Sequence, residues 1–233
     1  MGTALGTLVL FDVDGTLLQG AHQTHWEALR AALAEVHGVR EDKLPRVEAA
    51  GRTDGAIVRD VLLLCGVSAE RIDDRADDVR EAAWRQYASR CAADLSGHVA
   101  AGVPELLAGL TARGGVRLAL VTGNYEPIAR LKIERAGLGR WFPRGQGAFG
   151  SDHEDRAALP PIARRRAGSD GRPFPRSHTV VVGDTPRDIA CARADQLRCV
   201  AVATGPYGRE DLRGADAVAA DAYELAEILG RLR

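Results

Sequence analysis

Lysine is almost missing from this chain: the 31 basic residues are arginines except at Lys43 and Lys132. The bias is compositional, and it makes each of the two lysines easier to interpret. Cysteine is scarce as well. Cys65, Cys91, Cys191 and Cys199 lie far apart with no CxxC and no Cys/His cluster, which argues against a disulfide framework or a zinc site and for buried, reduced thiols. Charge is nearly balanced, 31 basic residues standing against 32 acidic for a net charge of -1, which argues against nucleic acid as a partner. No apolar run approaches the ~20 residues of a membrane span. The opening MGTALGTLVLF lacks the basic leader of a signal peptide and is too short for one, so it reads as a first strand and the chain is expected in the cytoplasm. What remains is ordinary globular composition, 45% hydrophobic and 27% charged over 233 residues, enough for one large domain or a core with an inserted module.

Against that background one feature stands out. The run Leu8 to Val13 is apolar enough for a buried central strand, yet it carries Asp12 and is followed by Asp14, with Gly15 and Thr16 marking its end. Two ionised acids at one strand end repel each other and pay a desolvation cost unless a cation or polar ligand sits between them. The bland alternative is a strand closed by an Asp-Gly turn.

After Leu18 the pattern turns helical for about eighty residues, with apolar positions at helical spacing over 25–36, 54–64 and 68–93, and Ser68 placed to cap the last of these. From Gly102 strand and helix alternate: strand 116–121, helix 126–136, strand 179–182, helix 186–194, strand 199–203, helix 222–229. This alternation predicts a doubly wound α/β fold, a parallel sheet with helices on both faces. The simplest division is a discontinuous core of residues 1–17 and 97–233, with a helical module of residues 18–96 inserted between them. In such open sheets ligands bind beyond the carboxyl ends of the strands, where Asp12 and Asp14 lie.

Three strand ends carry polar residues: FDVDGT, then LVTGN with Thr122, Gly123 and Asn124, then VVVGDTPRD with Asp184 and Asp188. Singly, each has a structural reading as a turn, an N-cap or a first-turn acid. Convergent, they supply what phosphoryl transfer needs. Asp12 is ionised at neutral pH and can attack phosphorus without a base to activate it. Asp14, two residues on, reaches the same pocket to protonate the leaving oxygen and then activate water. Asp12, Asp14, Asp184 and Asp188 make an oxygen-rich site suited to Mg²⁺, and the Thr122 hydroxyl with neighbouring backbone amides would hold the phosphoryl oxygens. A cation to offset the charge must come from Lys132 or Arg156. Lys132 lies in RLKIERAGL, a pattern that suits an ordinary exposed lysine, and Arg156 opens RAALPPIARRRAG, a segment compatible with a helix starting at the active edge.

These motifs resemble the haloacid dehalogenase superfamily of phosphatases, in order and spacing and over essentially the whole chain. DVDGT is similar to its first motif, TGN to its second and GDTPRD to its fourth. The resemblance implies that Asp12 is the nucleophile, Asp14 the general acid/base and Thr122 the phosphate-binding hydroxyl. It also implies magnesium held by the Asp12 carboxylate, the Asp14 backbone carbonyl and Asp184, with Asp188 in support. The third motif departs from the usual Lys-Pro, and the matching place falls on Arg156. That favours Arg156 over Lys132 as the active-site cation and predicts that Arg156→Ala abolishes turnover while Lys132→Ala is mild.

The helical module resembles the cap of the phosphoglycolate phosphatase and β-phosphoglucomutase branch, with AGRTDGAI in the place of its specificity loop. Arg52 would then face the far, anionic end of the substrate, unless it is a plain exposed arginine ahead of a helix cap. His25, near the hinge, reads better as a packing residue than as a proton-transfer group. The implied activity is a Mg²⁺-dependent phosphatase of a small phosphorylated metabolite, phosphoglycolate-like or a sugar phosphate, acting as a monomer or dimer. A phosphomutase shares all the core residues. Phosphonate hydrolysis finds no support around Lys43, dehalogenation is disfavoured by the presence of Asp14, and a non-catalytic binding protein is disfavoured because Asp12 and Asp184 are both present.

Overall fold

The computed structural model describes residues 6–231. Its centre is a sheet of six strands, all parallel. In chain order the strands are β1 (Thr7–Phe11), β2 (Val116–Thr122), β3 (Ala148–Phe149), β4 (Thr179–Gly183), β5 (Arg198–Val202) and β6 (Ala217–Ala219), and they lie side by side as β3-β2-β1-β4-β5-β6. The expected α/β class and all four expected strands are present, to within about two residues at their ends. The edge strands β3 and β6 were not expected, because two or three residues are too few to show a period.

Strand β1 lies in the middle, so both its faces must be apolar. Alternation along it sends Leu8 and Leu10 to one side and Val9 and Phe11 to the other. Leu8 and Leu10 pack with Leu159 and Ala163 of α7 (Leu159–Ala167) and Ile189 and Ala192 of α8 (Pro186–Ala194). Val9 and Phe11 join a larger cluster with α5 (Val103–Ala112), α6 (Glu126–Arg135) and α9 (Ala222–Arg231). Helices therefore cover both faces.

Between β1 and α5 the chain forms α1 (His22–His37), α2 (Asp54–Leu64), α3 (Ala69–Asp74) and α4 (Ala76–Arg90). Leu29, Leu33, Val61, Val79 and Tyr87 from these helices belong to the same apolar cluster as Val9 and Phe11. The single helix expected over 68–93 is two helices instead. Ser68 does cap the first, accepting from the Arg71 amide at 3.3 Å. The break falls at Arg75, where φ is -110° and ψ is 10°. Periodicity runs through this point because Ile72 and Val79, seven apart, would share a face. Packing decides otherwise, since α3 lies against α2 while α4 runs along α1. Among the described residues no helix is long and apolar enough to cross a membrane.

Candidate active site

The register aligns three strand ends. Phe11 sits beside Leu120 on one side and Val182 on the other, so the residues just beyond β1, β2 and β4 emerge at one edge of the sheet. The Asp12 amide continues the pairing with β4, donating to the Val182 carbonyl at 2.9 Å. Gly15 then turns the chain with φ +88°, and a Cβ there would lie 2.1 Å from Asp184 Oδ2. Glycine is thus required both by the backbone conformation and by the approach of the β4 carboxylate. Thr16 Oγ1 donates to Asp184 Oδ1 at 3.2 Å.

Asp12, Asp184 and Asp188 are all buried, and each offers a carboxylate oxygen within 4.8 Å of the others. Burial pushes the Asp12 carboxyl up to about 6, with help from Asp188 and Asp14 and against the pull of Arg156. Asp184 is raised further, to about 8, by burial first and then by the charges of Asp12 and Asp188. Three crowded carboxylates without enough positive charge are what a hard divalent cation satisfies, so the residues present fit Mg²⁺. Asp188 has both oxygens engaged. Its Oδ2 accepts from the Thr185 amide at 3.0 Å and the Thr185 hydroxyl at 2.7 Å, closing a capping box at the start of α8. Its Oδ1 accepts from Arg156.

Arg156 sits in a 3₁₀ turn, Arg156–Ala158, at the head of α7. Its Nη2 bridges Asp188 and Asp12, lying 3.1 Å from Asp12 Oδ1, while its Nε is buried without a partner. Burial alone would lower its pKa, but Asp188 and Asp12 outweigh that and hold it firmly charged.

The expectation for Lys132 is corrected by the structure. The lysine is completely buried, because α6 turns that face toward the sheet edge and not toward solvent. Its Nζ donates to Asp14 Oδ2 at 2.6 Å and to Asn124 Oδ1 at 2.9 Å, and lies 3.2 Å from His25 Nδ1. His25 Nε2 in turn is 3.0 Å from Asp54 Oδ2, which also accepts from the Tyr125 amide at 2.7 Å. Burial pushes Asp14 up, but Lys132 more than reverses this and leaves it below the usual carboxylate range. The chain thus carries two buried cations at this edge, Arg156 on Asp12 and Lys132 on Asp14. His25, read from the sequence as a packing residue near the hinge, is instead a polar member of this site, as is Asp54 of the AGRTDGAI segment. The available signal was the rarity of lysine, since a buried ammonium must find acceptors.

Thr122 is buried at the end of β2, and its hydroxyl accepts from the Asn124 amide at 3.4 Å. The segment before α2 lies directly on this turn: the Asp54 amide donates to the Gly123 carbonyl at 2.8 Å, and a Cβ on Gly123 would meet the Arg52 carbonyl oxygen at 2.0 Å. Only glycine permits that approach. The guanidinium of Arg52 turns back along its own segment, pairing with Asp60 at 2.7 Å and donating to the Ala56 carbonyl at 3.1 Å. Its backbone, not its charge, meets the strand ends.

The profile of haloacid dehalogenase-like hydrolases matches residues 9–193. A phosphoglycolate phosphatase of Rhodospirillum rubrum is 33% identical over 231 residues, covering 95% of this chain and 90% of that protein. The tyrosine-protein kinase PtkA of Mycobacterium tuberculosis is 30% identical over 228 residues, covering 96% of this chain and 72% of its own length. Among solved structures, CbbY from Rhodobacter sphaeroides in complex with phosphate superposes with a TM-score of 0.61 at 19% identity, over 94% of this chain and 96% of that one. This last likeness speaks for the fold. Together with the aligned strand ends, these matches place the chain in the haloacid dehalogenase-like hydrolase family.

Proposed function

We propose that this phosphatase of the haloacid dehalogenase-like family hydrolyses a small phosphorylated metabolite, with 2-phosphoglycolate the first candidate, through a phosphoryl group carried on Asp12. The observation that carries the reading is the convergence of Asp12, Asp14, Thr122 and Arg156 on one edge of the sheet. Asp12, raised only to about 6, is mostly ionised at neutral pH. Its carboxylate oxygen attacks phosphorus, and the bond to the leaving oxygen breaks as the protonated form of Asp14, a minor species at neutral pH for a carboxyl held below its usual range, passes its proton to that oxygen. In the second step water gives its proton to Asp14 and attacks the phosphorus, and the bond to Asp12 breaks. Thr122 and the free Nε of Arg156 hold phosphoryl oxygens through both steps. The Asp12 carboxylate, the Asp14 carbonyl and Asp184, with Asp188 in support, would hold Mg²⁺, and the chemistry it would supply there is neutralisation of charge on the phosphoryl oxygens.

A small substrate is favoured because the site is enclosed. Asp12 and Thr122 are 4% and 1% exposed, and the segment ahead of α2 lies against Gly123. In this reading residues 18–96 are a cap over a core of 1–17 and 97–233. The chain passes between them at a neck where Leu18 bridges Val99 and the Gln19 amide donates to the His98 carbonyl at 2.8 Å. The R. rubrum relative supports the substrate class, and four free cysteines suit a reducing, cytoplasmic setting. The test is phosphate release across phosphorylated metabolites with and without Mg²⁺, using Asp12→Asn as the blank. Metal-dependent release lost in the blank is expected. A blank as active as wild type refutes the mechanism, and an isomerised sugar phosphate in place of free phosphate would make the enzyme a mutase.

A further inference from the structure

Lys132 is the only described lysine that is buried, and the hydrogen bonds around it run in one direction. An ammonium has three donors and no acceptor. Here the three go to Asp14 Oδ2, Asn124 Oδ1 and His25 Nδ1, at 2.6, 2.9 and 3.2 Å. With Nδ1 accepting, the imidazole proton belongs on Nε2, which points at Asp54 Oδ2 3.0 Å away. Asp54 is itself anchored by the Tyr125 amide. The Tyr87 ring closes the remaining side, its centroid 5.9 Å from Nζ and 5.7 Å from that of His25 in an edge-to-face arrangement. No donor of Lys132 is left for a phosphoryl oxygen. Asp14, by contrast, keeps Oδ1 buried and unpartnered.

From this we infer that Lys132 is a positioning residue for Asp14, aimed by the His25–Asp54 pair, and not a ligand of the transferred phosphoryl group. Its grip on Oδ2 fixes the carboxylate and leaves Oδ1 as the oxygen that exchanges a proton with the leaving group or water. Two of the residues that aim it, His25 on α1 and Asp54 on α2, come from the helical segment, while Asp14 and Lys132 come from the sheet side. Docking of the segment and orientation of the proton-transfer group are therefore one event.

The inference rests on the proposed reaction, and the experiment separates the two. Activity is measured on an alkyl phosphate, whose leaving oxygen needs a proton, and on p-nitrophenyl phosphate, whose leaving group does not. Asp14→Asn sets the signature of a lost proton donor, a fall in kcat on the alkyl ester on the order of 10²–10⁴ and a much smaller one on the aryl ester. Lys132→Met is expected to reproduce that discrimination with KM within about twofold of wild type, and to cost nothing more when added to Asp14→Asn, since it acts through that carboxylate. His25→Phe should show a weaker form of the same signature, and His25→Gln, which restores an acceptor to Nζ, should recover part of it. These two variants leave the Lys132–Asp14 pair intact and keep the test informative should Lys132→Met fail to fold. Equal losses on both esters, a rise in KM alone, or a further loss in the Asp14→Asn background would overturn the inference. Retained turnover in Asp12→Asn would overturn the underlying reaction instead.

Discussion

The raised carboxyls of Asp12 and Asp184 make the metal-free protein sensitive to pH in an unusual direction. A carboxyl whose folded pKa lies above its unfolded value binds its proton more tightly in the folded state, so stability falls as pH rises through that interval. For Asp184 the interval runs from the ordinary 3.8 to about 8. At about 1.4 kcal/mol per pKa unit, holding this group in its folded site costs on the order of 4 kcal/mol at pH 7. Asp12 adds to this over the lower part of the range, from 3.8 to about 6. Asp14 moves the other way, but its folded pKa is already below 3.8 and it is flat above pH 5. Thermal or urea unfolding in EDTA should therefore show wild type losing stability between pH 5 and 8 relative to Asp184→Asn. The variant keeps the acceptor for Thr16 without the charge. Mg²⁺ should stabilise wild type strongly at pH 8 and weakly at pH 5, where it competes with protons. An EDTA profile for wild type parallel to that of Asp184→Asn, or an equal Mg²⁺ shift at both pH values, would refute the electrostatic reading.

Arg156→Ala removes the cation shared by Asp12 and Asp188, and kcat for phosphate release should fall by at least on the order of 10²–10³, with Arg156→Lys recovering part of it. Gly15→Ala places a Cβ 2.1 Å from Asp184 Oδ2 at a φ of +88°, so calorimetry should show a loss of about 1–3 kcal/mol together with weaker Mg²⁺ binding. Thr185→Ala breaks the capping box that orients Asp188 and should lower unfolding free energy by about 1 kcal/mol. Thr185→Ser should restore it.

Much of this site was legible in residue order. An apolar run ended by a polar residue is a local signal, and three such runs in βα order imply strand ends that converge, whatever the packing in detail. Arg156 was found by its distance from Thr122. The helical stretch 54–64 was also readable from its apolar positions at helical spacing, and the structure caps it with Thr53, which accepts from the Ala56 amide. Arg52 illustrates the limit, since its sequence context left a substrate-facing charge and a plain exposed arginine both open, whereas the structure pairs its guanidinium with Asp60 of α2.

The sequence by itself determined the fold class, the carboxylate site and the chemistry that site can support, because these follow from local pattern and order along the chain. Only the tertiary structure decided that Lys132 is buried, that His25 and Asp54 hold it, that α3 and α4 separate at Arg75, and that two short strands complete the sheet. Those outcomes depend on contacts between residues up to 118 apart, as in the Lys132–Asp14 pair. A lone lysine on a helix carries no mark of which carboxylate will face it until the helix is docked.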